Sequence, residues 1–170
     1  MHLAAASNLR LAGRLAAAAW AVLLSPLVAG CDGAIHNPDS QHFAGAISPR
    51  AAWTASGEVR DAYYAIDERI ETAATAPAGY SRASLTVDLG RASFIGMVVV
   101  DHGADEHAYS RSMAVLTSDD GTGWAHRITV PGTRRLTYAL LPKRVLARYV
   151  RVEAVEPGAG KWSIAEIYLK

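Results

Sequence analysis

The sequence predicts an all-β domain, a β-sandwich or jelly roll built from seven or eight short strands. Three observations carry this. Residues 85–90 (LTVDLG) alternate, with Leu85, Val87 and Leu89 on one face, and end in a glycine. Residues 94–101 (FIGMVVVD) form a continuous apolar run rich in valine, the pattern of a strand covered on both faces. Residues 112–118 (SMAVLTS) and 124–130 (WAHRITV) flank DDGTG, whose Asp-Gly pair tolerates the positive φ of a hairpin turn. Residues 134–141 (RRLTYALL), 147–155 (ARYVRVEAV) and 162–169 (WSIAEIYL) complete the set. In ARYVRVE, Arg148 and Arg151 are placed toward solvent. Only 62–67 (AYYAID) reads as a short helix or turn, and no repeat or low-complexity segment interrupts the chain.

The chain has 170 residues, enough for one domain, with 51% hydrophobic and 19% charged residues. That composition excludes a disordered or fibrous chain. Formal charge is +1, and it becomes −1 once Arg10 and Arg14 leave with the first thirty residues, 15 basic against 16 acidic. So neutral a chain, without a basic stripe, excludes nucleic acid as the expected partner. A single cysteine excludes an intrachain disulfide, so burial alone must hold the core.

Residues 1–30 are laid out as an export signal. Arg10 and Arg14 precede an apolar run, Leu15 to Leu27, and Val28-Ala29-Gly30 lead to Cys31. The run is short for a ~30 Å hydrocarbon core, and Pro26 breaks its helix. The segment LVAGC resembles the lipobox of bacterial lipoproteins. That resemblance implies cleavage before Cys31, a covalent lipid on its sulfur and acylation of the new amine. Two or three acyl chains anchor durably at ~0.8 kcal/mol per buried CH₂. Residues 31–46 read as a polar, turn-rich tether, about 20 Å end to end as a flexible coil. The domain then spans 47–170.

Four ordered segments, AYYAID-x4-T (62–72), LTVDLG (85–90), SDDGTGW (118–124) and ARYVRVE…IAEIYL (147–169), resemble the discoidin or coagulation-factor type C domain, one of the galactose-binding-like jelly rolls. The resemblance covers about residues 47–170. It implies an eight-stranded antiparallel jelly-roll β-sandwich whose loops at one end bind glycans, lipid headgroups or proteins. The chain departs from the family pattern in three places: Glu68 stands where glycine usually follows the aspartate, and Ala74 and Ser84 stand where tryptophans are common. The family often carries a structural calcium, which maps here to Asp67, Thr72 and Glu166, hard oxygen donors of the type Ca²⁺ takes in sets of six to eight. Without a metal, Asp67 caps a turn and Glu166 pairs with an arginine.

Candidate ligand contacts are His102, Asp105, His107 and Tyr109 in the loop after 94–101, together with Lys161 and Trp162 before the last strand. Acids and histidines suit sugar hydroxyls, and an indole suits the apolar face of a sugar ring. Trp162 reads equally as a core aromatic at a strand start. Trp124 reads as structural, and Trp53 as either. The spacing of His102 and His107 matches no zinc motif. GAGKWS (158–163) has Val155 where a phosphate loop needs glycine and Trp162 where it needs a hydroxyl. SDDGTG lacks an EF-hand's carboxylate spacing, and no nucleophile-elbow glycines surround any serine. The expectation is a non-catalytic module held on a membrane of the bacterial envelope, periplasmic or surface side. It binds a glycan, or in the alternative docks an envelope protein as a structural lipoprotein.

Overall fold

The computed structural model describes residues 45–80 and 82–170. The expected signal segment, Cys31 and all of the expected tether except Gly45 and Ala46 lie outside the described residues.

Among the described residues there are eight strands: β1 (Thr54–Gly57), β2 (Ala74–Ala76), β3 (Ala83–Asp101), β4 (Ser112–Ser118), β5 (Ala125–Pro131), β6 (Leu136–Glu156), β7 (Trp162–Ile164) and β8 (Glu166–Leu169). Every pairing is antiparallel. One sheet runs β1-β3-β6-β4-β5 with β8 also on β3, and β2 pairs β7. This is the expected eight-stranded sandwich. AYYAID forms a short 3-10 turn over Ala62–Ala65.

Two strands are longer than the sequence pattern indicates. Residues 85–90 and 94–101 belong to one strand, β3, and 136–141 and 147–155 to one strand, β6. The two stay paired while their register shifts between Asp88 and Ser93 and again between Ile95 and Met97. Such irregularities bend a strand without ending it. Gly90, at φ 73°, supplies the left-handed residue at the bend. Thus residues 83–88 lie between β1 and β6, whereas 98–101 lie between β8 and the start of β6.

Alternation places the core. Leu85, Val87, Leu89, Val98, Val100, Val150 and Val152 are fully buried with Met113, Ile164 and Ile167, each contributing about 1.5–3 kcal/mol by leaving water. Trp53 joins this core, its indole N–H donating to the Ser48 carbonyl at 3.0 Å. Trp124 is half-buried beneath the Arg151 guanidinium, 3.9 Å away. Arg148 forks onto Asp88 through two 2.8 Å bonds, so neither it nor Arg151 is a free solvent-facing cation.

The β4–β5 turn is held by Asp120. Its carboxylate accepts from the amides of Thr122 (2.8 Å) and Gly123 (2.9 Å) and from the hydroxyls of Thr122 (2.8 Å) and Ser118 (3.0 Å). These donors, the Gly123 amide foremost, hold its pKa far below the usual 3.8. A lowered folded pKa adds stability above the unfolded value, and that stability is lost as pH falls below it. The melting midpoint of Asp120→Ala should therefore fall less than that of wild type when both are acidified below about pH 4. Parallel acid limbs in the two proteins would refute this.

Candidate functional site

The loop after β3, residues 102–111, is fixed by backbone bonds on three sides. The amide of Ser163 donates to the Ala108 carbonyl at 2.8 Å, Arg111 donates to Glu156 at 2.9 Å, and Gly132 donates to Arg111 at 2.9 Å. The fit requires missing side chains. A Cβ on Gly158 would sit 1.9 Å from the Tyr109 carbonyl, and one on Gly132 1.7 Å from that of Ser110. Neither contact is possible for real atoms, so both positions need glycine.

This arrangement brings four predicted contacts into one crown. Asp105, His107 and Lys161 are exposed and Tyr109 is half-buried. The Asp105 carboxylate accepts from the His107 amide at 3.0 Å, stiffening the loop tip. Gly160 packs against the His107 carbonyl, which sets Lys161 beside it. Glu106 and Arg134 pair at 3.6 Å on the rim, too exposed to stabilise much.

Two predicted contacts lie elsewhere. His102 is 1% exposed and serves as a strut. Its Nδ1–H donates to the Ser163 carbonyl at 2.7 Å, because a carbonyl only accepts, and its Nε2 accepts from the Thr137 hydroxyl at 2.9 Å. Burial pushes its pKa below the usual 6.5, against the Ser163 carbonyl and Asp101, so the ring is neutral and supports Tyr109, 6.3 Å away. Trp162 has no exposed surface and packs 6.3 Å from Tyr80. A side chain without exposure cannot stack on a ligand, so Trp162 is corrected from ligand plate to core.

Of the residues mapped to calcium, Asp67 and Thr72 come together, the Thr72 hydroxyl donating to the Asp67 carboxylate at 2.8 Å. The other Asp67 oxygen accepts from the Arg69 amide at 3.0 Å. Glu166, 1% exposed, meets a different cation. The Arg50 guanidinium lies 2.6 Å from its Oε1 and also donates to the Ile167 carbonyl. Arg50 is itself held between Trp53 (4.8 Å) and Tyr168 (5.6 Å). Burial still pushes the Glu166 carboxyl above 4.5, with Arg50 opposing, and Oε2 has no hydrogen-bond partner among the described residues. A dication on Oε2 would share this carboxylate with a fixed positive charge inside a low-dielectric site. Arg69 also stands in the loop that would have to wrap the metal. The donor set does not fit calcium. The expected turn-and-arginine arrangement of Asp67 and Glu166 is the one present.

One feature escaped sequence reasoning. A polar groove of about 590 Å³ is lined by Gly57, Glu58, Arg82, Ser84, Arg151 and Glu153. Its residues come from three strands and two loops, so no local motif announces it.

The F5/8 type C domain family matches residues 44–167. Among solved structures, a Clostridium perfringens module, CpGH89CBM32-5, in complex with GalNAc-β-1,3-galactose, superposes with TM-score 0.63 at 17% identity, covering 71% of this chain and 96% of that one. The family 32 carbohydrate-binding module of C. perfringens NanJ, in complex with galactose, gives 0.63 at 19% identity, covering 74% and 97%. Chitosan-binding module 1 of a Paenibacillus sp. IK-5 chitosanase/glucanase gives 0.58 at 22% identity, covering 74% and 96%. No curated protein matches the chain.

Proposed function

The chain belongs to the F5/8 type C domain family, and from that premise we propose that it is a non-catalytic glycan-binding module held on the bacterial envelope by a lipid on Cys31. The crown supports this reading best. It sets a half-buried tyrosine, a histidine, a carboxylate and an ammonium on a loop whose backbone is locked. Tyr109 offers a flat apolar edge, and His107, Asp105 and Lys161 offer directed donors and acceptors for hydroxyls. A preorganised loop gives up little entropy on binding. The similarity to modules in complex with galactose and GalNAc-β-1,3-galactose points to the same ligand class.

Affinity electrophoresis in galactose- and chitosan-containing gels tests the proposal. Retardation is expected, and Tyr109→Ala should weaken it roughly tenfold or more, as removal of a central aromatic anchor does. Retardation lost in Glu153→Ala but kept in Tyr109→Ala would move the site to the polar groove. No retardation in any glycan gel would leave docking to an envelope protein as the function.

A further inference from the structure

At the start of β6 the usual alternation is reversed. Thr137 and Ala139 are fully buried, whereas Tyr138 and Leu140 are 58% and 70% exposed. The strand turns its small residues inward and its bulky apolar ones to solvent. The register extends this surface: Tyr138 and Tyr168 lie on either side of Val99, Leu140 lies opposite Met97, and Phe94 lies opposite Leu146. Of the nine exposed large hydrophobic residues among the described residues, five (Phe94, Tyr138, Leu140, Leu146 and Tyr168) lie on this outer face of β8, β3 and β6. Scattered apolar residues are ordinary on a surface, but a contiguous set marks an interaction site.

The free charge on this face is positive. Arg144 lies 5.6 Å over the Phe94 ring, and Lys170 lines a groove of about 330 Å³ with Tyr138 and Tyr168. Neither cation has an ion-pair partner among the described residues. The face's acids, Asp101 and Glu166, are engaged by Arg135 and Arg50. A second copy laid on the same face would bring like charges together. An anionic lipid surface would neutralise them and take up the aromatic and aliphatic side chains at headgroup depth. The chain also arrives here, since the Phe94 amide donates to the Gly45 carbonyl. Gly45 lies fourteen positions after Cys31, a reach of at most about 50 Å at full extension.

We propose that this outer face rests on the anionic surface of the membrane, so that the domain lies down on one sheet while the crown stands at the end of the strands. The inference rests on the lipid-anchor reading for its geometry, but not for its chemistry.

Because Cys31 is the only cysteine and its sulfur would carry lipid, one introduced cysteine is the only free thiol. Leu140→Cys, and Ala125→Cys on β5 as reference, are labelled with an environment-sensitive fluorophore. The lipoprotein is then placed in phosphatidylglycerol–phosphatidylethanolamine vesicles carrying a lipid-attached quencher. Several-fold stronger quenching at Leu140 is expected, with the difference shrinking in pure phosphatidylcholine. Equal quenching at both positions overturns the proposal, as does stronger quenching at His107→Cys. So does a Leu140 signal that depends on protein concentration and not on vesicles, which would mean self-association. If the chain fails to incorporate, the anchor reading falls alone. The face is then decided by whether added anionic vesicles quench Leu140→Cys in an unlipidated chain that also carries Cys31→Ser.

Discussion

Arg50→Met is expected to lower the free energy of unfolding by about 3–5 kcal/mol, the usual consequence of leaving one member of a buried ion pair without its partner. Glu166 is 2% exposed by side chain and Arg50 19%, so solvent screens the pair little. Methionine keeps much of the packing between Trp53 and Tyr168 and removes only the charge. Adding Glu166→Gln should recover a large part of the loss, because no uncompensated charge then remains inside. The pH dependence has a definite sign. Burial raises the folded pKa of Glu166 above 4.5, so its contribution is most favourable below that value and becomes a cost as pH rises through the folded pKa. Without Arg50 this cost loses its main opponent, and the variant should be markedly more stable near pH 4.5 than near pH 7, relative to wild type. Denaturant unfolding at both pH values measures this. A neutral Arg50→Met at both, or a wild-type midpoint that falls when EDTA is added, would show that a metal and not the guanidinium balances Glu166.

Trp162→Ala should cost about 3–5 kcal/mol, the range for truncating a buried large aromatic. The indole is enclosed by its own core, with Tyr80 as a neighbour, and its removal leaves a cavity the surrounding strands cannot close. Trp162→Phe should cost less and leave glycan retention unchanged, because no ligand reaches this position. Thermal melting and affinity electrophoresis on both variants separate the outcomes. Retention lost in Trp162→Phe with an unchanged midpoint would make the indole a ligand contact after all.

Much of the sandwich was legible because its strands obey period two. The β4–β5 hairpin was read almost to its ends, since Asp120-Gly121 turns between two strand patterns. The strands β1 and β2, of four and three residues, are too short to show a period. The bends of β3 and β6 looked like loops because a bulge interrupts the alternation as a turn does.

The site was legible only in part. Residue type identified the loop tip with His107 and Tyr109. It could not show that His102 turns inward, because that depends on Ser163 and Thr137, which are 61 and 35 positions away. Residues 136–141 depart from residue type in the opposite sense. Leu136, Tyr138 and Leu140 carry the pattern of an inward-facing stripe, yet Ala139 and Thr137 face the core. Here the departure from the hydrophobic rule is itself the signal of a surface that meets something.

The bent strands β3 and β6 have a dynamic consequence. Their backbones run unbroken through the bend and stay paired with each other on both sides of it, so no seam lies there along which one half of the pair could open while the other stays closed. Amide hydrogens on either side of the bend, such as those of Val87 and Val98, should therefore exchange through one shared opening and keep the same rank under mild denaturant. The domain would unfold as a single cooperative unit.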